Sequence, residues 1–80
     1  MTLNELKTGE CGVITKVGGE GVLRLRFLDM GLIPRTKVRV VKIAPLGDPI
    51  EINLRGYELT MRRDDAKNIE IIRGSTVDKQ

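Results

Sequence analysis

The chain has 80 residues, 31% charged and 40% apolar, with 14 basic and 11 acidic side chains, one Cys and neither His nor Trp. That length makes one domain with a small core, and the missing His removes the Ser–His and Cys–His dyads, the imidazole base and every histidine metal ligand. One Cys excludes an internal disulfide and a cysteine-rich zinc site, so a reducing compartment is expected, and a net charge of +3 allows nucleic acid without demanding it.

Thr2-Leu3-Asn4-Glu5 has capping-box spacing and opens at most one turn before Thr8-Gly9, with Leu3 and Leu6 tucking that turn onto the domain. The N-terminus has no basic stretch followed by a long apolar run, so no export signal is expected, and no apolar run approaches the roughly 20 residues of a membrane span. Gly9–Val17 reads as a strand with Val13, Thr15 and Val17 on one face and Ile14 on the other, stopped by Gly18-Gly19. Glu20–Met30 reads as the one substantial helix. Leu23, Phe27 and Met30 form one apolar stripe, and Leu25, Leu28 and Leu32 a second, making an arc wider than a small barrel readily covers. Arg26 and Asp29 fall on the opposite side at i, i+3 and can pair there. Arg24 lies between the stripes, where it either snorkels over the core edge or sits in an apolar surface that faces a partner. Gly31 then Leu32 predicts a Schellman helix end, and Ile33-Pro34 a turn.

Thr36–Ala44 alternates charged and β-branched residues, but its phase slips at Val40-Val41, which predicts a β-bulge and a bend. Pro45-Leu46-Gly47-Asp48-Pro49 is a loop, where an apolar Leu46 is expected to be exposed. Ile50–Met61 predicts a hairpin turning at Arg55-Gly56. Leu54 then faces Tyr57, Ile52 faces Leu59 and Ile50 faces Met61, while Asn53–Glu58 and Glu51–Thr60 pair on the other side. Arg62–Lys67 fits a short helical turn, Ile69–Ile72 a closing strand, and residues 74–80 a polar, frayed tail. The sum is a mainly β chain: a small antiparallel barrel of five to six strands with one α-helix between the first two, forming a single domain over residues 1–73.

No catalytic constellation emerges. Cys11 has no imidazole partner, and adjacent Asp64 and Asp65 point apart. Gly18-Gly19-Glu20-Gly21 lacks the Gly-Lys-Ser/Thr ending of a phosphate loop, and Glu20 places negative charge where an anion would sit. Glu20, Asp29, Asp48, Glu51 and Glu58, with Cys11, could hold a divalent ion only weakly, so no dedicated cofactor is expected. Lys37 and Arg39 share a strand face, but without stacking aromatics nucleic acid is not expected. What remains is surface: an apolar helix side and an apolar loop tip.

Arg26-Phe27-Leu28-Asp29-Met30-Gly31-Leu32-Ile33-Pro34 resembles the Arg-Leu-x-x-Met-Gly-Leu-x-Pro segment of the FeoA family. Ala44-Pro45-Leu46-Gly47-Asp48-Pro49 is similar to that family's Ala-Pro-Leu-Gly-Asp-Pro loop, and Arg55-Gly56-Tyr57 and the Arg62–Ala66–Ile69 stretch are similar too. The resemblance spans about Leu3 to Ile72. It implies an SH3-like β-barrel in the bacterial cytoplasm, peripheral to the inner membrane only through its partner, and a non-catalytic accessory role in ferrous iron uptake. The implied partner is the cytosolic GTP-binding part of the membrane permease FeoB, with the protein modulating that permease's assembly or activity; self-association is compatible with the same role. The alternative is a metal-responsive regulatory domain or a GTPase-stimulating factor, related to the SH3-like module of iron-dependent repressors, with Arg24, Arg35 and Arg55 as candidate arginine fingers. The expected contact surface is Arg24, Arg26 and Leu28 on the helix with Pro45 and Leu46 on the loop, because Arg beside an apolar anchor suits an interface. One position departs from the family pattern: Arg35 stands where Gly usually follows the Pro. That favours a type I turn over type II, or else a modest strain.

Overall fold

β-Branched residues fill the segments that become strands, and glycines and prolines separate them. The computed structural model describes residues 1–74. A 3-10 turn (Leu3–Glu5) is followed by β1 (Cys11–Val17), α1 (Val22–Asp29), β2 (Lys37–Ile43), β3 (Ile50–Leu54), β4 (Tyr57–Met61), α2 (Arg63–Ala66) and β5 (Ile69–Arg73). All five strands join one antiparallel sheet in the order β4-β3-β2-β1-β5. The first residues cover the outer edge of β5: Thr2 bridges Glu70, and the Ile71 N–H donates to the Met1 carbonyl at 2.8 Å. Of the expected tail, Gly74 still donates its N–H to the Cys11 carbonyl at 3.3 Å. Residues 75–80 lie outside the described residues.

The expected mainly β architecture with its helix between β1 and β2 is what the chain adopts. The hairpin register matches the expectation at all five pairs, from Leu54–Tyr57 to Ile50–Met61. Its turn residues Arg55 and Gly56 have φ of 51° and 85°. Positive φ at both central positions is the type I′ pattern, whose twist matches that of the flanking strands. The phase slip in β2 is a register shift between Val40 and Lys42, as its sequence predicts.

β1 corrects the sequence reading. Its core residues are Ile14 and Val17, 1% and 3% exposed, whereas Thr15 is exposed and Val13 half-buried. The cause is a second register shift, between Ile14 and Lys16, which brings residues three apart onto one face. Simple alternation grouped Val17 with Val13 and Thr15 because it assumed an unbroken pleat, while the expectation that both sides of the strand are partly covered agrees with half-buried Val13 and buried Ile14.

The helix is shorter than expected and starts at Val22. Gly21 has φ 56° and ψ −124°, which is not helical, and no side chain caps the helix start. Phe27 is its buried anchor, flanked by partly buried Leu23, Leu28 and Met30. The expected second apolar stripe is not a core stripe: Leu25 is 59% exposed, and only Leu32, beyond the helix, is fully buried. Arg26 and Asp29 both face outward, and no ion pair joins them among the described residues. The expected capping box is also absent. The Thr2 hydroxyl donates to the side chains of Asn4 and Glu5, not to the backbone of the first turn.

The helix end is a complete Schellman motif. Gly31 (φ 99°) donates to Leu28 O at 3.0 Å and Leu32 to Phe27 O at 3.1 Å. The Tyr57 hydroxyl, arriving from β4, donates to the Met30 carbonyl. A Cβ on Gly31 would lie 2.5 Å from that hydroxyl. Gly31→Ala is therefore expected to cost about 1–3 kcal/mol, from left-handed strain plus this clash. Tyr57→Phe is expected to cost about 1 kcal/mol. Because both changes act on one contact, the double variant should lose less than the sum, which urea unfolding of the three proteins checks.

Candidate docking surface

The outer side of α1 carries Val22, Leu25, Arg26 and Asp29, with Val22 72% exposed. The residues expected to make the contact divide into two groups around α2. Arg26 lines a shallow groove with Leu23, Met30, Thr60, Arg62 and Asp65, so α1 borders one side of α2. Arg24 is exposed, yet its Nε donates to the Val17 carbonyl at 3.2 Å and ties the helix to the end of β1. Leu28 is half-buried and packs against the core. Sequence reasoning missed Val22, and it placed Leu25 in an apolar arc too wide for the barrel to cover without naming it in the contact. The signal available was the excess width of the apolar arc.

Pro45 and Leu46 form the other group, beside the start of α2. Leu46 is 94% exposed, as its loop setting predicts. The loop that presents it is braced. Gly47 donates to Ala44 O at 2.7 Å and Ala44 to Pro49 O at 3.1 Å. Asp48 accepts the Arg63 N–H at 2.9 Å, which places a carboxylate at the start of α2, where it satisfies a donor the helix leaves unpaired. Such a fixed apolar tip suits docking, since little loop entropy is lost on contact.

One electrostatic feature lies elsewhere on the sheet. Glu51 of β3 and Glu58 of β4 are diagonal neighbours on the outward face. A hydrogen bond with Glu51 raises the Glu58 pKa above its ordinary value, helped by the like charge of that carboxylate. A raised carboxyl pKa means that the pair favours the fold when protonated and opposes it as pH rises through the folded value. Glu58→Gln should therefore raise the melting temperature at neutral pH, and the gain should vanish below about pH 4.5, which thermal melts across pH check. Of the carboxylates and Cys11 considered as weak metal ligands, Glu51 and Glu58 meet as a pair. Among the described residues no group of three or more His, Cys, Asp or Glu is placed to hold a metal ion.

Arg35 resolves the turn question against type I. Its φ is 77°, and the Thr36 N–H closes the turn on Ile33 O at 3.1 Å with Pro34 in second place, the pattern of a type II turn. The strained conformation persists because the Arg35 N–H also donates to Ile14 O at 2.6 Å, linking the turn to β1. Arg35→Gly is expected to stabilise the fold by about 0.5–1 kcal/mol: the left-handed penalty of about 1–2 kcal/mol, less the extra chain entropy of glycine. Urea unfolding measures it.

Residues 1–73 match the family model of the FeoA domain. The chain belongs to the FeoA family. It is 44% identical over 71 residues to a fusion of Fe(2+) transport protein A with the Fe(2+) transporter FeoB from Porphyromonas gingivalis. That match takes in 89% of this chain but 8% of the fusion protein. A Campylobacter jejuni sequence named as an Fe(2+) transport protein A is 31% identical, covering 89% of this chain and 96% of that one. The solution structure of a Chlorobium tepidum FeoA protein is 45% identical with a TM-score of 0.84, covering 91% of this chain and 70% of that one. Below 25% identity the likeness shows the fold alone. A Stenotrophomonas maltophilia FeoA described as a procaryotic SH3 domain protein is 24% identical (TM-score 0.79, 90% of this chain and 89% of that one). A manganese-dependent transcriptional repressor is 14% identical (TM-score 0.84, 92% of this chain and 36% of that one). The fold is thus SH3-like, as the resemblance implies. Among the described residues no helix is long and apolar enough to cross a membrane.

Proposed function

We propose that this FeoA-family protein is a non-catalytic accessory of ferrous iron uptake that docks on the cytosolic GTP-binding part of a FeoB-type permease and modulates its assembly or activity. One observation carries the reading: in the Porphyromonas gingivalis relative, a segment 44% identical to this chain is part of one polypeptide with FeoB. Covalent fusion holds two parts at high effective concentration, a setting in which a contact surface between them is readily occupied. The surface that best fits is the outer side of α1 together with the loop tip. It offers Val22, Leu25 and Leu46 as apolar anchors, Arg26 and Pro45 beside them, and Arg24 and Leu28 fixing the helix from behind. Exposed apolar groups with an adjacent Arg suit a contact that excludes water from its centre.

The alternative of a metal-responsive domain draws on the repressor, which at 14% identity supplies the fold only. For docking, the test is titration of isotope-labelled protein with the permease's cytosolic domain, followed by amide shifts. Shifts are expected in α1 and at residues 44–49, and their absence from both would overturn the surface. Leu46→Asp and Leu25→Asp should each weaken binding at least about tenfold, as truncated interface anchors do. Stability should change by less than about 0.5 kcal/mol for Leu46→Asp, because its side chain stands in water.

A further inference from the structure

A second surface lies on the outward face of β1, β2 and β3, and nothing in the docking reading uses it. It is a cleft of about 650 Å³ lined by Arg35, Lys37, Arg39 and Arg55, with Asn53 and Cys11 on its floor. Antiparallel pairing builds it. Arg39 stands between Cys11 of β1 and Asn53 of β3, and Lys37 projects two residues before it on the same face. The turn after Pro34 supplies Arg35 and the hairpin turn supplies Arg55. Among the described residues no carboxylate lines the cleft, and its three arginines are the cations on which the reading rests. The nearby acidic groups are placed outside it: Glu58 pairs with Asn53 on the next strand, and Glu10 is engaged by Arg73 at 3.8 Å.

Backbone strain marks the same place. Arg35 and Arg55 are the two non-glycine residues with left-handed φ among the described residues, and both line the cleft. Glycine meets that backbone need at lower cost, so an arginine at each position is a strained choice that leaves a guanidinium beside the cleft. Arg55 is also positioned in advance, since its guanidinium donates to the buried Thr36 hydroxyl at 3.2 Å.

We infer that the cleft binds an extended acidic peptide segment of a partner protein. Arg39 projects from the middle of β2, a strand whose alternate residues repeat at about 6.6–6.8 Å, the spacing of alternate side chains in an extended ligand. Arg35 and Arg55 add charge from the two turns, so several carboxylates are met at once. A nucleotide fits less well: Phe27 and Tyr57, the chain's aromatics, are not among the lining residues, so no ring offers a platform for a base. A lone phosphate fits less well too, because no glycine-rich loop or helix start turns free N–H groups into the cleft. This inference does not rest on the permease reading, and its test needs no permease.

The test is titration of the full chain with a short synthetic peptide alternating glutamate and threonine, run beside its glutamine counterpart, inorganic phosphate and GTP. The acidic peptide is expected to shift the amides of Cys11, Lys37, Arg39 and Asn53, the glutamine peptide to shift none, and binding to weaken steeply with added salt. Arg39→Gln and Arg35→Gly should each weaken it about three- to tenfold, while Lys7→Gln, far from the cleft, leaves it within about twofold. Arg35→Gly is decisive, because the same change is expected to stabilise the fold, so lost binding cannot be lost folding. Equal response to the glutamine peptide, phosphate or GTP binding as tightly as the acidic peptide, or shifts confined to other faces would each overturn the inference.

Discussion

The Met30 carbonyl, met by the Tyr57 hydroxyl, is the junction on which the rest of the molecule depends. A helix of eight residues contributes little stability by itself and must be held by its surroundings. Here Gly31 ends it in a left-handed residue, Leu32 drops into the core, and a tyrosine from the distant hairpin donates to the Met30 carbonyl. At the other end Arg24 reaches back to β1. The helix is thereby fixed at one end to β1, which precedes it in the chain, and at the other to β4 at the far edge of the sheet, and one aromatic anchor, Phe27, is enough to seat it. This is how a chain with a small aliphatic core can leave Val22 and Leu25 in water without loosening the element that carries them.

The two bulges have the complementary role in the sheet. Each breaks alternation in a strand, one in β1 and one in β2, and each moves a residue that simple pleating would have sent to the other face. The sheet therefore bends around its core. Its outward face collects Lys37 and Arg39 in the middle, while Glu51 and Glu58 stand together toward the β4 edge. Lys42 stands opposite Glu51, so the basic and acidic zones meet at a cross-strand pair of opposite charge. The two carboxylates themselves remain close neighbours: their hydrogen bond, and then their like charge, raise the Glu58 pKa.

How much of this was legible in the sequence depended on how local the governing physics is. The hairpin was readable to the residue because a single register puts Leu54, Ile52 and Ile50 on one face, and a slip of one would expose them all. The Schellman end was readable because Gly-Leu after an apolar stripe has few other uses. The bulge in β2 announced itself through doubled valines, whereas that in β1 did not, since Val13-Ile14-Thr15 alternates plausibly on either face. Leu46 was readable as exposed because nothing in a Pro-Gly loop can cover it. Arg24 and Leu28 were placed on the right helix, but their inward attachments depend on β1 and the core, which no local pattern reveals. The basic cleft was invisible because its cations come from two turns and a strand, and only pairing brings them together.

Strain at Arg35 and Arg55 connects these points. A domain of this size has total stability near the low end of about 5–15 kcal/mol, so two left-handed arginines, at about 1–2 kcal/mol each, are a large fraction of it. The turn after Pro34 could be closed with glycine at no loss of hydrogen bonds, because the Arg35 N–H that donates to Ile14 O belongs to the backbone. The guanidinium is thus the part of Arg35 that the fold does not need. The same holds for Arg55 in part, since its bond to Thr36 satisfies a hydroxyl that would otherwise be buried alone. Structural use accounts for one arginine incompletely and for the other not at all, and both open onto the same cations of β2. Physical economy in so small a protein favours a surface whose cost is met by binding.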